Sequence, residues 1–467
     1  MRPLPLSRIA GWTGGRVQGA DATVDAVSID TRTLGNEGEG RAALFVALKG
    51  ERFDGHDHAA AAVAAGARAL MVARALPLDV PQLVVADTER ALGDFAGALQ
   101  RSRGTRVAAV TGSNGKTSVK TMLLPILQRM AAGEGREAYA NPGNRNNEIG
   151  LPLAVIDAPE DAACAVYEMG AGKPGDIAYL TAIVRPDAAL VNNIAPAHLE
   201  RMGSLLGVAD TKAAIYDALP ADGVAAINAD DAFAPYFAER AHGRRLIRFG
   251  LEASADVGAR DIVADAEGSR FVLSTPVGDV AVAIALPGRH NVRNALAAAS
   301  LALGLGASLE AIRDGLAAAR AVGGRLVRHA LRGGATLVDD SYNANPGSLN
   351  AAIELLAAGD RPGWMVLGDM RELGADEVAL HAEAGRRAKA AGIARLYALG
   401  PLSAATVAAF GEGARHFENH DALAAALRAD LARAGDGAPA VLVKGSRGSA
   451  MDRVVKALLE GETANAA

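Results

Sequence analysis

Val107-Ala-Ala-Val-Thr-Gly-Ser-Asn-Gly-Lys-Thr-Ser118 decides how the chain is read. A short run of small and β-branched residues predicts a strand ending at Val110. The chain then breaks into a turn whose glycines, Gly112 and Gly115, let backbone N–H groups curl around an anion. Within Thr111-Gly112-Ser113-Asn114-Gly115-Lys116-Thr117-Ser118, Lys116 supplies a point charge for outer phosphates. The Thr117 hydroxyl is placed to bind Mg²⁺. Residues 119–129 read as the helix that follows, with its positive end toward the phosphates and with Pro125 as a point where it can kink. The strict pattern wants a glycine where Val110 stands, so this phosphate turn departs from it. Strand, Gly-Lys-Thr turn and helix in that order still point to a bound nucleotide.

Working outward, 467 residues are too many for one core, and several domains are expected. Hydrophobic residues make up 50% and charged ones 22%, an ordinary globular balance. The net charge of −5 argues against non-specific binding to nucleic acid or a membrane surface. The one cysteine, Cys164, excludes an intramolecular disulfide and reads as a buried thiol in an apolar strand. The N-terminus lacks the apolar core of a signal peptide, and no run approaches membrane-spanning length; a cytoplasmic protein is expected.

Three regions separate: 1–86, 87–322 and 323–467. The first has strand-like runs at 24–30, 43–48 and 69–73 and an alanine-rich helix at 58–66. The second opens on an amphipathic stretch at 87–100, carries the phosphate turn, and continues through apolar strands at 163–167 and 188–191. The glycine-rich Val322-Gly-Gly-Arg325 reads as a hinge. Beyond it, strands at 335–338, 364–367, 395–398 and 440–443 alternate with helices, predicting a Rossmann-like domain. The fold class is α/β, built on mostly parallel sheets.

Ligands of such sheets bind beyond the carboxyl ends of the strands. That rule selects Glu168, a hard carboxylate suited to Mg²⁺, and His198, in the loop after the next strand. Lys212 lies in an expected helix, where a surface lysine is the simplest reading. Asn291 and Asn294 share one face of a helix; capping and nucleotide contact are both open to them. In the third region Asp339-Asp-Ser-Tyr-Asn-Ala-Asn-Pro346, 367–374 and the basic loop Val443-Lys-Gly-Ser-Arg-Gly448 all follow strands.

Together these motifs resemble the Mur ligase family over nearly the whole chain, and within it the MurF-type branch. The turn 111–117 resembles that family's TGTNGKT, with Ser113 for Thr. Segments 143–152, 340–346, 367–374 with His381, and 443–448 are similar to the branch in the same order. The resemblance implies three domains: a UDP-substrate-binding domain, a P-loop ATPase domain and a C-terminal Rossmann-like domain. It implies ATP-dependent amide formation, in which a carboxylate of UDP-N-acetylmuramoyl-tripeptide is phosphorylated and then captured by D-alanyl-D-alanine.

By the same resemblance, Lys116, Glu168, His198 and Lys212 carry the catalysis. Thr117 and Glu168 ligate an ATP-linked Mg²⁺, His198 stands near a second metal, and Lys212 matches a lysine that is carbamylated in several members. Asn291, Asn294, Arg325, Tyr342, Asn343 and Asn345 approach the nucleotide. Lys444 and Arg447 face the dipeptide or phosphate. Ser28, Thr31, Arg32, Asp54 and His56 resemble the UDP-substrate site, although the loop 36–42 is longer and more acidic than the family pattern. A monomer is implied. The rival readings are a sister ligase adding one diamino acid, a folylpolyglutamate synthetase, a P-loop nucleotide switch and a non-catalytic relative. The Tyr342-Asn-Ala-Asn-Pro and Leu367-Gly-Asp-Met segments argue against the first two. The missing Walker glycine and the lack of a guanine-reading segment argue against the switch. Retention of Lys116, Thr117, Glu168 and Lys212 argues against loss of catalysis.

Overall fold

The computed structural model describes residues 1–34, 41–51, 53–196, 199–265 and 267–463. Its central sheet has six parallel strands in the order Arg245–Phe249, Val224–Asn228, Ala188–Val191, Arg106–Thr111, Cys164–Glu168 and Ala138–Ala140. The strand Arg106–Thr111 shows why this sheet is buried on both faces. Val107 and Ala109 enter one apolar core, while Ala108 and Val110 enter the other. A continuous apolar run is what a strand covered by helices on both sides requires.

After Arg106–Thr111 the chain first builds Ala138–Ala140 and Cys164–Glu168 on one side, then crosses to Ala188–Val191 on the other. The phosphate turn therefore leaves the sheet where strand order reverses, the place where such sheets open a crevice. Its strand runs one residue further than the apolar pattern indicates, to Thr111, whose hydroxyl donates to the Met169 carbonyl at 3.0 Å. The helix begins at Lys116 rather than at 119 and extends through Pro125 to Ala132. Turn residues win the first helical turn here because Gly115, at φ +79°, reverses the chain directly into it.

The first region forms a five-stranded sheet, parallel except for Arg16–Gln18 at one edge. The third region forms a six-stranded sheet that is parallel apart from the edge strand Val327–Ala330. An antiparallel sheet of Gly258–Ala264, Ser269–Thr275 and Gly278–Ile284 was not anticipated. Gly258–Ala264 contains no buried residue, and in Ser269–Thr275 and Gly278–Ile284 buried positions alternate with more exposed ones, so each strand offers the core at most every second side chain. Only one face, through Phe271, Leu273, Val282 and Ile284, meets the core. Cys164 is buried in a central strand. Among the described residues no helix is long and apolar enough to cross a membrane.

Candidate active site at the phosphate turn

The turn is held from behind by asparagines. Asn114 N–H donates to Asn193 Oδ1 at 2.9 Å, and its carbonyl accepts from Asn192 Nδ2 at 2.9 Å and Asn193 Nδ2 at 3.1 Å. Asn192 Nδ2 also reaches Asn294 Oδ1 at 3.1 Å, and Asn294 Nδ2 donates to Asn291 Oδ1 at 3.4 Å. Gly115 is pressed against this network: a Cβ there would lie 2.4 Å from Asn192 Nδ2 and 2.6 Å from Asn294 Oδ1. Asn291 sits inside the helix Arg289–Gly304 and donates back to Pro287 O at 2.8 Å. Capping is not its role, since Gly288 occupies the cap position. Asn192 and Asn193 carry no local signal of this work. Their significance comes from strand order, which sets the end of Ala188–Val191 beside the turn.

Lys116 Nζ folds back onto the Gly112 carbonyl at 2.7 Å and the Ser113 carbonyl at 3.4 Å. Burial lowers its pKa from the ordinary lysine value, Glu168 pulls it back up, and Arg325 depresses it further. Thr117 Oγ1 donates to Glu168 Oε2 at 2.7 Å, Asn146 Nδ2 donates to Oε1 at 2.9 Å, and Lys120 Nζ lies 3.3 Å from Oε2. Burial pushes the Glu168 carboxyl upward, but Lys120, Lys116, the Thr117 hydroxyl and Arg325 together hold it below the ordinary value. It is therefore an anion in a cationic setting.

Thr117 and Glu168 thus present a hydroxyl and a carboxylate side by side. That donor set suits Mg²⁺, which takes one or two protein oxygens and completes its shell from phosphates and water. His198 lies outside the described residues. Lys212, expected on a surface, is 1% exposed on the helix Leu205–Asp217. Burial, with Lys116 adding to it and Asp176 opposing, brings its pKa down to about 7.

In front of the turn lies a cavity of about 700 Å³ shared by the central and third regions. Seven lysines and arginines line it against four carboxylates, although the whole chain is acidic. Ser113 to Ser118, Glu168, Asn291, Asn294, Arg325, Tyr342, Asn343, Asn345 and Lys444 all reach it. The third region docks directly on the turn through Asn345 Nδ2, which donates to Asn114 Oδ1 at 2.7 Å. The other end of that side chain caps the helix Pro346–Ala357 by accepting from Ser348 N–H at 2.9 Å.

Arg325 lays its guanidinium 4.3 Å from the centre of the Tyr342 ring. Lys444 is buried, donating to Asp340 and to the Asn343 carbonyl at 3.0 Å. Arg447 stays exposed near Asp452 and stands outside the cavity lining. His290, which local reasoning passed over, lines the cavity too. Burial, Lys444 and Arg293 bring its pKa down to about 4, so the ring is neutral at physiological pH.

A second cavity of about 480 Å³ lies between the first and central regions, lined by Ser28, Asp30, Thr33, Asn144, Arg145, Asn147 and Asp157 among others. Asn147 lines both cavities. Arg32 grips the Asp30 carboxylate beside it, and Thr31 is not in the lining. Asp54 and His56 are not brought to it. Asp54 accepts from the His56 backbone at 2.9 Å and from its Nδ1, and His56 Nε2 accepts from Ala73 N–H at 2.8 Å. Those atoms cap a 3₁₀ turn and tie it to a strand end.

Comparison with known proteins meets this geometry along the whole chain. The Mur ligase family catalytic domain matches residues 23–98, the Mur ligase middle domain 110–302, and the Mur ligase glutamate ligase domain 324–447. The UDP-N-acetylmuramoyl-tripeptide–D-alanyl-D-alanine ligase of Escherichia coli K12 is 46% identical over 466 residues, spanning 99% of this chain and 100% of that one. A crystal structure of MurF from Acinetobacter baumannii superposes with a TM-score of 0.92 at 32% identity, covering 98% of this chain and 99% of that one. MurF from Thermotoga maritima in complex with ADP gives 0.82 at 27% identity, covering 95% and 99%. With all three of its regions matched in order around one phosphate turn, the chain belongs to the Mur ligase family.

Proposed function

We propose that this chain is an ATP-dependent, ADP-forming ligase that joins D-alanyl-D-alanine to UDP-N-acetylmuramoyl-tripeptide, giving the pentapeptide precursor of peptidoglycan. The observation that carries the reading is the meeting of two cavities at Asn147, in a chain aligned end to end with the E. coli ligase. A long substrate anchored in the second cavity can pass its peptide over the 144–148 segment and present a carboxylate beside Glu168 and Lys116. The uridine diphosphate end is assigned to Ser28, Thr33, Asn144 and Arg145, with Thr31 and Arg32 at its edge.

The chemistry asks two anions to meet. A peptide carboxylate oxygen attacks the γ-phosphorus, the bond to the β-γ bridging oxygen breaks, and ADP leaves. Lys116 neutralises charge on the transferring group, and N–H groups of the turn face it. Thr117 and Glu168 would hold Mg²⁺, which would supply further neutralisation of the phosphate charge. The neutral dipeptide amine then attacks the acyl carbonyl, the C–O bond to phosphate breaks, and the departing phosphate takes up the proton released from nitrogen. Such an anhydride hydrolyses readily, so the third region must close over it. The Asn345–Asn114 hydrogen bond supports that closure. Tyr342, Asn343, Asn291 and Asn294 are assigned to the nucleotide, and Lys444 and Arg447 to the dipeptide or the departing phosphate. We place the enzyme in the cytoplasm as a monomer, as the family resemblance of the sequence implies. Trapping tests the reading: with ATP and UDP-tripeptide but no dipeptide, hydroxylamine should yield the tripeptide hydroxamate. No hydroxamate, with ADP still forming, would reject the acyl phosphate.

Carbamylation of Lys212 belongs to the same proposal. The amine is buried, has no hydrogen-bond partner among the described residues, and is largely neutral above pH 7. A neutral amine adds CO₂, and the resulting carbamate is an anion that complements Lys116. Because the pKa of about 7 lies below the ordinary lysine value, the reactive form grows as pH rises through 7 and is lost below it. Activity of CO₂-depleted enzyme should therefore recover with bicarbonate more fully at pH 8 than at pH 6. Lys212→Ala should lose about 10²-fold or more in kcat and regain part of it with added formate or acetate. Full activity of the variant unaided would make Lys212 a packing residue.

A further inference from the structure

Lys120 sits one helical turn beyond Lys116, yet it does not line the nucleotide cavity. Its ammonium is buried and donates to the carbonyls of Asn141 at 2.9 Å and Gly143 at 3.0 Å, with Glu168 Oε2 at 3.3 Å. Three acceptors match its three N–H donors, which leaves none for a phosphate. The two carbonyls open the 141–150 segment, which is stitched to Glu168 by three further hydrogen bonds. Asn141 Oδ1 accepts from Glu168 N–H at 2.9 Å, and its Nδ2 donates to the Glu168 carbonyl at 3.1 Å. Asn146 Nδ2 donates to Oε1. The far side of this segment lines the second cavity through Asn144, Arg145 and Asn147.

We propose that Lys120 is a positioning residue that fixes the Glu168 carboxylate beside Thr117 and, through the same ammonium, fixes the 141–147 segment beside the second cavity. Metal placement and seating of the UDP-linked substrate then depend on one side chain that touches neither. Removing it frees two backbone carbonyls and leaves Glu168 with neutral donors on that side, so the carboxylate and the segment lose a common restraint. Lys116 cannot substitute, because its ammonium is turned onto Gly112 and Ser113. The inference rests on the reading of Thr117 and Glu168 as the metal pair.

The test is ADP binding by calorimetry with and without Mg²⁺, together with steady-state kinetics, on Lys120→Met, Lys120→Arg and Glu168→Gln. The Lys120→Met enzyme should keep its metal-free ADP affinity within about twofold. It should lose about tenfold of the Mg²⁺-dependent gain, the size expected for a charge-assisted hydrogen bond. KM for UDP-tripeptide should rise about tenfold while KM for the dipeptide holds. Lys120→Arg should recover part of both, which a purely structural loss would not produce. If Lys120→Met does not fold, Asn146→Ala loosens the same carboxylate and should cut the Mg²⁺-dependent gain more mildly; wild-type behaviour there overturns the proposal. A Lys120→Met enzyme that retains the gain and the KM, while Glu168→Gln loses the gain, overturns the proposal alone. Retention of the gain in Glu168→Gln overturns the metal pair and this inference with it.

Discussion

Lys116→Ala abolishes ligation and leaves the protein folded. The loss in kcat/KM should be at least about 10³-fold, the scale seen when one charge-stabilising group is removed from a phosphoryl-transfer site. The fold should survive because Lys116 supports little else. Among the described residues its ammonium bonds only to carbonyls of its own turn, at Gly112 and Ser113. Glu168, the anion nearby, keeps Lys120, Thr117 and Asn146 after the substitution. No buried charge is left without a partner, so thermal melting should stay within a few degrees of wild type. Initial rates of phosphate release and a melting curve, taken on the same preparation, check both halves. Near-normal turnover would remove the γ-phosphate from this position.

Glu168→Gln should be as damaging to turnover and should differ in stability. The amide keeps the shape of the side chain but not the charge, so the Mg²⁺ concentration for half-maximal rate should rise and kcat should fall about 10³-fold. Unlike Lys116, Glu168 pairs with a buried neighbour: in the variant Lys120 would keep its two carbonyls but lose its anion. Stranding one partner of a buried pair is costly, and with a neutral acceptor still present about 2 kcal/mol is expected. The central region should therefore melt earlier in Glu168→Gln than in Lys116→Ala. Equal melting of the two variants would mean that Lys120 and Glu168 are not paired as described.

What could be read from sequence divides along the range of the interactions. The phosphate turn was legible because its chemistry is written in adjacent residues: a strand, two glycines, Lys116, Thr117 and a helix. The third-region segment 339–346 was legible for the same reason. Lys212 was singled out only by the family resemblance: on local pattern a lysine in an alanine-rich helix reads as exposed, and the packed fold buries it. Lys120, Asn192 and Asn193 were missed because their partners lie across strand order, 21 to 102 residues away in the chain.

Asp54 and His56, which the resemblance assigns to the UDP-linked substrate, do not line the second cavity. Polar residues around a turn drew attention as ligands, whereas the turn uses them as its own cap and tether. The antiparallel sheet of 258–284 went unread because its strands bury at most every second side chain and only one face meets the core.

In this enzyme phosphate is moved in order to join a dipeptide to a UDP-linked peptide. The most direct measurement is phosphate release from ATP and Mg²⁺ in the presence of UDP-muramoyl tripeptide, with D-alanyl-D-alanine compared against single amino acids. Release should require both the UDP-tripeptide and the dipeptide, with negligible turnover on any single amino acid. Release supported equally by a single diamino acid, or proceeding without the UDP-tripeptide, would contradict it.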